Sequence, residues 1–271
     1  MTRVFEAKGR PSDNPLIVHV AAAAEADAVA HVTQVGRRLF AAFAPGPLTV
    51  VLPVRPGLPE AVTAGLDTVA VRVPSAPLAV AVLRAAGPLV APSANRSGRP
   101  SPTTWQAARD DLDGRVDAVL QGPPTAVGIE STVVDATGAA PVVLRPGAVT
   151  LDALRALFPD ARALGADGGD LHKRSPGTRH RHYAPRARVR LVASLDHAEP
   201  SPEAAWVGLD APPAGYALAV VCADVEDYAR RLFDLFRRAD AAGLGRIDAQ
   251  AVGESGLGVA LMDRLRRAAA G

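Results

Sequence analysis

The stretch that decides the fold class begins with Leu16-Ile-Val-His-Val20, continues with a helical pattern over Ala26–Phe43, and ends with the apolar run Leu48–Val54. Short runs rich in β-branched and apolar residues predict buried strands. Within Ala26–Phe43 the larger apolar residues fall near one face, which predicts an amphipathic helix. A strand, a helix and a second strand in this order are typical of α/β proteins, in which helices pack on a sheet.

The same alternation continues along the chain. We predict further strands at Val69–Val73, Leu89–Ala91, Ala118–Gln121, Ser131–Asp135, Val142–Leu144, Val189–Val192 and Leu218–Cys222. We predict further helices at Leu78–Ala86, Thr104–Leu112, Leu151–Phe158, from Asp224 onward, and at about Val259–Ala269. Thr150 is a suitable N-cap for the helix that follows it, and Asp227 occupies the capping-box position of the helix at Asp224. These elements predict a mixed α/β architecture without internal repeats.

Composition excludes several classes of protein. The 271 residues are 48% hydrophobic and 21% charged, which excludes disorder, collagen and coiled coil and permits one large or two moderate domains. The single cysteine, Cys222, excludes a disulfide framework and a Cys-rich zinc site, and its apolar surroundings predict a buried thiol. No apolar run approaches the ~20 residues of a membrane span, and no hydrophobic leader is visible, so we expect a soluble cytoplasmic protein.

The chain is predicted to divide into three parts. Residues 1–164 form the first domain, residues 165–188 a basic linker rich in Gly, Pro and His, and residues 189–271 a small α/β domain. Long segments without apolar periodicity are usually linkers or functional loops. His180 and His182 in this linker could bind a metal, but a solvated basic loop is favoured.

The sequence lacks several standard catalytic motifs. A phosphate loop of the GxxxxGK type, an HExxH helix, a CxxC pair and a GxSxG elbow are all absent. The net charge is only +2, so the chain does not resemble a dedicated nucleic-acid coat. No metal-ligand cluster is predicted.

Cationic and small polar residues instead occur near strand ends and in loops, and this set comprises Lys8, Arg10, Arg72, Arg145, Ser93, Asn95 and Ser131. Most have a structural alternative: Lys8 and Arg10 could compensate a helix dipole, Ser93 and Asn95 could form an ordinary turn, and Ser131 could precede an edge strand. Arg72 could be an edge-strand arginine, although a charge inside a strand slightly favours a site. His19 alone is more often a core histidine. Together the set favours an anionic ligand held by hydrogen bonds over a covalent nucleophile.

A resemblance to a known family rests on motifs in a fixed order. They are Lys8-Gly-Arg10-Pro-Ser-Asp-Asn-Pro15, Pro45-Gly-Pro-Leu-Thr49, Val71-Arg-Val-Pro74, Pro92-Ser-Ala-Asn95, Gly128-Ile-Glu-Ser-Thr132, Leu144-Arg-Pro-Gly147, Ser175-Pro-Gly-Thr-Arg-His-Arg-His-Tyr-Ala-Pro185 and Gly256-Leu-Gly-Val-Ala-Leu-Met-Asp-Arg-Leu265. The first six resemble the YrdC-like domain, and the whole series resembles the two-domain L-threonylcarbamoyladenylate synthases. The resemblance covers almost the whole chain.

The resemblance implies a YrdC-like mixed twisted sheet followed by a smaller Rossmann-like domain. It implies a nucleotidyltransferase that makes threonylcarbamoyl-AMP and pyrophosphate from ATP, L-threonine and bicarbonate for tRNA modification. Mg²⁺ is expected to accompany ATP, and the product is expected to pass to a tRNA threonylcarbamoyl transferase complex. A direct contact with tRNA or double-stranded RNA is possible in such a protein, and no membrane partner is expected.

The resemblance also assigns expected roles to residues. It implies catalytic roles for Lys8, Arg10, Ser93 and Asn95. It implies ATP contacts at Arg10, Asn14, Thr68, Ser93, Ser101, Arg145 and Tyr183, with Tyr183 in a linker that covers the site. It implies threonine contacts at His19, Arg72, Ala91 (through its backbone) and Ser131.

Two departures and two rival functions complete the expectations. The family's first strand and its Pro-Thr-Glu/Asp-Thr-x-Tyr-Gly-Leu segment have no counterpart before Lys8, which favours a start codon assigned too far downstream over a truncated form. In Gln121–Thr125 a second glycine usual in relatives is missing, with little effect expected. The rivals are a non-catalytic double-stranded RNA or tRNA-binding protein, and a carbamoyl-transfer maturation factor that shares only the first domain.

Overall fold

The structure is a computed structural model in which residues 2–165, 169–175 and 183–270 are described. Its strands are Ile17–His19 (β1), Leu48–Pro53 (β2), Thr68–Arg72 (β3), Leu89–Val90 (β4), Thr132–Asp135 (β5), Val142–Arg145 (β6), Arg162–Ala163 (β7), Arg188–Val192 (β8), Ala204–Gly208 (β9), Leu218–Val221 (β10) and Arg246–Gln250 (β11). Its α-helices are Thr2–Lys8 (α1), Gln34–Phe43 (α2), Glu60–Thr63 (α3), Pro77–Ala86 (α4), Trp105–Leu112 (α5), Leu151–Arg155 (α6), Val225–Ala241 (α7) and Gly258–Ala269 (α8).

The described residues form two compact units. The first unit comprises residues 2–93, 130–165 and 169–175, and the second comprises residues 94–129 and 183–270. The sequence placed residues 94–129 in the first domain, whereas these residues pack with the C-terminal part of the chain. The packing boundary therefore differs from the predicted boundary at residue 164.

The first unit is built on a seven-stranded mixed sheet with the order β4-β1-β3-β2-β5-β6-β7. The pairs β1/β3, β2/β5 and β6/β7 are parallel, and the other neighbours are antiparallel. Side chains alternate between the two faces of a strand. One face carries Val18, Val71, Val50, Val134 and Val143, which lie in the main core of this unit together with α2 and α6.

The opposite face of this sheet has a smaller apolar patch. It contains Ala70, Val51, Val133 and Leu144, against which Leu171 packs. Leu171 belongs to a 3-10 helix at Gly169–Arg174, whose Arg174 forms an ion pair of 3.0 Å with the buried Asp135. Beyond this patch the same face becomes polar.

The second unit contains a parallel sheet with the order β10-β9-β11-β8. Helices α7 and α8 bury Tyr228, Phe233, Phe236, Leu261 and Leu265 in its core. The segment before residue 130 approaches α7 so closely that a Cβ on Gly128 would lie 2.3 Å from the Cα of Arg230. Gly128 also has a φ of 84°, a backbone conformation that residues with a side chain rarely adopt. Both the close approach and the backbone conformation therefore require glycine at this position.

These observations confirm the predicted α/β fold class with a mixed sheet and a second, smaller α/β sheet. Both predicted caps are also confirmed: the Thr150 side chain accepts a hydrogen bond from the backbone N–H of Ala153, and Asp224 accepts one from Asp227. Asp227 in turn accepts from the N–H of Ala223 at 3.2 Å, so its carboxylate binds the residue before the N-cap rather than the N-cap N–H of a standard capping box.

Some predicted elements are wrong. Residues 26–43 do not form one helix, because a 3-10 helix at Ala23–Ala28 is followed by an extended segment and by α2, for which Thr33 provides the N-cap. Val29, Ala30 and Val32 are buried in this segment, but they do not lie on one face of a helix. The predicted strand at 118–121 is an irregular segment.

Two strands of the second sheet, β9 and β11, were missed. Alanine-rich β9 has low strand propensity, and β11 contains Arg246 and Asp248, whose charges are paired with each other and with Arg190 on one face of the sheet. Residues 246–250 therefore form a strand because they pair with β8 and β9, although their own sequence pattern is polar.

No helix among the described residues is long and apolar enough to cross a membrane. Cys222 is buried as predicted, and its burial raises the pKa of the thiol to about 11, so it stays protonated near neutral pH.

Candidate active site

A row of polar side chains crosses the first sheet at the carboxyl ends of β1 and β3. His19 is in register with Arg72, and Arg72 is in register with Thr49 on β2. Residues in register on adjacent strands point to the same face. Ser131, directly before β5, lies on this face because it is two residues from Val133. We call His19, Arg72, Thr49, Ser131 and Arg145 the polar row.

A β-bulge brings Arg145 into the polar row. Asp135 and Val134 pair with Val142 and Val143, but Val133 pairs with Arg145, so Leu144 is an extra residue in β6. Strict alternation would put Leu144 and Arg145 on opposite faces of the sheet. The extra residue returns Arg145 to the face of Val133, which is how bulges commonly redirect a side chain.

Hydrogen bonds fix Arg145 against Ser131. Its Nε and Nη2 donate to the carbonyl oxygen of Ser131 at 3.2 and 2.9 Å, and Nη2 also lies 3.2 Å from the Ser131 Oγ. That Oγ is 2.7 Å from the hydroxyl of Thr49. All three residues are buried. The guanidinium is therefore held in one orientation before any ligand arrives.

Arg72 is the unusual charge of the polar row. Its Nε donates to the carbonyl oxygen of Gly46 at 3.2 Å, and no carboxylate of the described residues forms an ion pair with it. Burial, followed by repulsion from the Arg145 guanidinium, lowers the pKa of Arg72 below its usual value. Because arginine remains charged in proteins, this cost is compensated when an anion binds.

His19 is neutral beside these cations. Burial and the Arg72 charge lower the pKa of His19 to about 4, against a weaker opposing effect of its backbone contact. Its Nδ1 lies 3.2 Å from the carbonyl oxygen of Ile17, which can only accept, so Nδ1 carries the proton. The Nε2 atom is then the hydrogen-bond acceptor that the ring offers to a ligand.

The depressed pKa of His19 makes stability depend on pH. In the unfolded chain its pKa is about 6.5, so between pH 6.5 and pH 4 the unfolded state binds a proton that the folded state does not. We expect this histidine to remove about 3 kcal/mol of folding stability as pH falls through that window. Denaturant unfolding of the wild type and of His19→Gln from pH 4 to pH 7.5 measures the difference. Parallel stability curves for the two proteins would contradict the assignment.

A second group of predicted site residues lies at the other ends of the same strands. Lys8, at the end of α1, is buried, and its Nζ donates to the carbonyl oxygen of Ser93 at 2.5 Å. Arg10 donates to the carbonyl oxygens of Asn14 and Pro15 at 3.3 and 3.0 Å, directly before β1. Lys8 therefore binds the backbone of Ser93, and Arg10 binds the backbone of the turn that leads into β1.

Thr68 belongs with this second group rather than with the polar row. It starts β3, and the β1/β3 register, extended by two residues, places it beside Pro15. Four residues of strand, about 13 Å, separate it from Arg72 on the same face. Ala91 lies between the two groups, with its N–H donating to the carbonyl oxygen of Ile17 at 3.2 Å.

The remaining predicted site residues, Asn95, Ser101 and Tyr183, belong to the second unit. Asn95 and Ser101 are buried in the loop that leads to α5. The side-chain amide of Asn95 donates to the carbonyl oxygens of Arg96 and Arg99 at 2.8 and 2.9 Å, so Asn95 holds this loop in shape.

Tyr183, expected in a linker that covers the site, is buried in the second unit. Its ring stacks on Phe233 with the ring centroids 5.4 Å apart and lies in the core of the second unit. An aromatic ring buries a large apolar surface, which here holds the end of the linker against α7. An ATP contact by Tyr183 stays a prediction. Residues 166–168 and 176–182, with His180 and His182, lie outside the described residues.

One residue of the polar row, Thr49, was missed as a site residue by the sequence reasoning. The motif Pro45-Gly-Pro-Leu-Thr49 contains it, but nothing local indicated that its hydroxyl meets Ser131 from another strand. In the described part of the chain, no three His, Cys, Asp or Glu side chains converge on a possible metal site.

Comparison with known proteins decides the family. A family model described as "Telomere recombination" matches residues 1–147, and the model "Threonylcarbamoyl-AMP synthase, C-terminal domain" matches residues 149–270. The threonylcarbamoyl-AMP synthase of Pyrococcus abyssi is 39% identical over 98% of this chain and 83% of its own length. The chain belongs to the threonylcarbamoyl-AMP synthase family.

One further relative and one solved structure are similar over nearly the whole chain. The synthase of Bacillus subtilis is 38% identical, with 99% of this chain and 83% of that protein covered. The crystal structure of P. abyssi Sua5 complexed with L-threonine superposes with a TM-score of 0.89 at 37% identity, covering 99% of this chain and 84% of that one. The resemblance found in the sequence motifs is thereby confirmed.

Proposed function

We propose that this chain makes threonylcarbamoyl-AMP and pyrophosphate from ATP, L-threonine and bicarbonate. Membership of the threonylcarbamoyl-AMP synthase family over nearly the full length carries this proposal. The cation-rich polar row supports it, since ATP, bicarbonate and the carboxylate of threonine are all negatively charged.

The proposed reaction has two steps. The amine of threonine adds to CO₂ derived from bicarbonate and loses a proton, which gives a carbamate. A carbamate oxygen then attacks the α-phosphorus of ATP, and the bond from that phosphorus to the bridging oxygen breaks as pyrophosphate leaves. Negative charge accumulates on the phosphate oxygens, so positioning and cationic stabilisation dominate over a covalent nucleophile.

The two groups of residues divide the work in this proposal. The polar row holds threonine: Arg72 pairs with its carboxylate, His19 Nε2 accepts a hydrogen bond from a polar group of the substrate, and the Ser131 hydroxyl forms another. Lys8 and Arg10 face the phosphates, with Asn14, Thr68 and Ser93 around the nucleotide. Arg145, fixed beside Ser131, stands at the threonine end to meet the α-phosphate.

Further partners complete the proposal. Mg²⁺ enters as part of the MgATP substrate, held through phosphates and water, which agrees with its reluctance to lose its hydration shell. The product serves tRNA threonylcarbamoyladenosine formation through a downstream transferase complex in the cytoplasm. Family membership gives no support to a purely RNA-binding role, and the match over residues 149–270 argues against a maturation factor sharing only the first domain.

Substrate omission tests the proposal directly. The purified full chain is supplied with ATP, threonine and bicarbonate together and with each left out, and pyrophosphate and the threonylcarbamoyl adenylate are measured. We expect both products only with all three substrates. Pyrophosphate released at the full rate without threonine would overturn the assignment, and serine in place of threonine serves as the specificity control.

A further inference from the structure

A buried carboxylate, Asp111, lies near the end of α5 and is not one of the predicted site residues. The side chain of Asp111 is fully buried and forms ion pairs with Arg99 at 2.6 Å and with Arg237 at 2.9 Å. Its Oδ2 also accepts from the backbone N–H of Arg96 at 3.3 Å. We call residues 95–101 the SxN loop. The Asp111 carboxylate therefore binds this loop at two positions, the backbone of Arg96 and the side chain of Arg99.

Arg237 supplies a second connection to the same loop. It lies on α7, in the part of the chain matched by the C-terminal family domain. Its Nη1 and Nη2 donate to the two carboxylate oxygens of Asp111 at 3.3 and 2.9 Å, and Nη2 also donates to the carbonyl oxygen of Pro100 in the SxN loop. Its side chain is only 15% exposed.

The SxN loop is thus held both by a hydrogen-bonding side chain of its own and by side chains of α5 and α7. Asn95 bridges the carbonyl oxygens of Arg96 and Arg99 within the loop, while Asp111 and Arg237 bind Arg96, Arg99 and Pro100 from two helices. A rigid loop presents its backbone and its Ser101 hydroxyl in one arrangement, which reduces the cost of ordering on binding. The sequence resemblance predicts nucleotide contacts at Ser101 in this loop and at Ser93, two residues before it, and a catalytic role for Asn95.

Burial separates this ion pair from ordinary surface charges. The neighbouring Asp110 is 62% exposed and pairs with the adjacent helix residue Arg109, and Arg238 is 50% exposed beside Asp234. Surface pairs of this kind contribute little to stability, whereas a buried pair is costly unless every charge is well satisfied. Each residue of the buried pair therefore has an exposed neighbour of the same type: Asp110 beside Asp111, and Arg238 beside Arg237.

We propose that Asp111 and Arg237 are positioning residues for ATP: the helix α7 of the C-terminal family domain sets the shape of the SxN loop and thereby the affinity for the nucleotide. This inference rests on the proposed function. It gives the C-terminal domain a part in the reaction of the first family domain through a contact within the second unit.

Two pairs of matched variants test the inference in the full chain. Asp111→Asn and Arg237→Gln remove one charge each, and Asp110→Asn and Arg238→Gln remove the same charge from the exposed neighbour. Arg237→Lys keeps the charge but cannot bridge Asp111 and Pro100 with one planar fork. We expect KM for ATP to rise about tenfold in Arg237→Gln and Asp111→Asn, with KM for threonine changed less than twofold. The exposed controls should match the wild type.

Thermal unfolding and ATP affinity distinguish positioning from a merely structural role. Arg237→Lys is expected to fold with nearly wild-type stability while its Kd for ATP, measured by calorimetry, stays several-fold weaker. A lowered unfolding temperature with an unchanged Kd and KM for ATP would overturn the inference. If the wild type binds ATP but makes no threonine-dependent product, the proposed function fails, while the ATP Kd values of the variants still decide the role of the ion pair.

Discussion

Replacing Arg10 by alanine is expected to lower the rate of pyrophosphate formation by about 10²–10³-fold, because a positioned cation at the developing charge is typically a large catalytic effect. The Arg10 guanidinium is bound to the carbonyl oxygens of Asn14 and Pro15, next to the buried Lys8. It is therefore held at the turn where the proposal puts the phosphates, without waiting for a ligand to order it.

The measurement is single-turnover formation of pyrophosphate with all three substrates saturating. The control is Arg37→Ala on α2, whose exposed guanidinium makes only a long ion pair of 3.5 Å with Asp27. Arg10→Lys separates charge from hydrogen-bond geometry, and a partial recovery of rate is expected. An unchanged rate in a correctly folded Arg10→Ala protein would count against the role of this arginine.

Replacing Arg72 by glutamine is expected to raise KM for threonine about a hundredfold, with KM for ATP nearly unchanged. A hydrogen-bonded pair with a charged group contributes about 1.5–3 kcal/mol, and a carboxylate can take two such bonds from one guanidinium. Lysine at this position should recover little, since an ammonium cannot form the forked pair.

Arg72→Gln is also expected to change stability in the direction opposite to its effect on activity. Arg72 is half-buried beside Arg145, and its desolvation, followed by this repulsion, already lowers the pKa of Arg72 in the ligand-free protein. Removing the charge should leave the unfolding temperature equal to or above that of the wild type, even though activity falls, as is common for residues kept for function. Arg84→Gln in the exposed last turn of α4 is the matched control. A destabilised Arg72→Gln protein with normal threonine KM would show that Arg72 serves the fold instead.

Local patterns predicted most of the first sheet and its surroundings. The runs at 48–54, 69–73 and 142–144 became β2, β3 and β6 because their apolar residues can be buried on both faces of a covered sheet. The helices after Thr150 and Asp224 begin where their caps predicted, since capping depends on neighbours two or three residues away. Local chemistry is sufficient for features that local contacts create.

The same reasoning failed where distant residues decide. The pattern over 26–43 has a helical period, yet the extended segment before Thr33 forms a bridge between Ala30 and Val54. The strand β11 carries the buried Asp248, which is tolerable only because Arg190 and Tyr216 approach it from elsewhere in the chain. Propensity is a weak guide at such positions because tertiary partners override it.

By itself the sequence determined the fold class, the family and the list of cationic and hydroxyl residues for the site, because these follow from residue types and their order. Only the tertiary structure decided that His19, Arg72, Thr49 and Ser131 stand in one row, that an extra Leu144 turns Arg145 toward them, and that Arg237 reaches Asp111. The physical reason is that strand register, bulges and buried ion pairs join residues far apart in the chain, and the free energy of such contacts belongs to the folded arrangement rather than to any single segment.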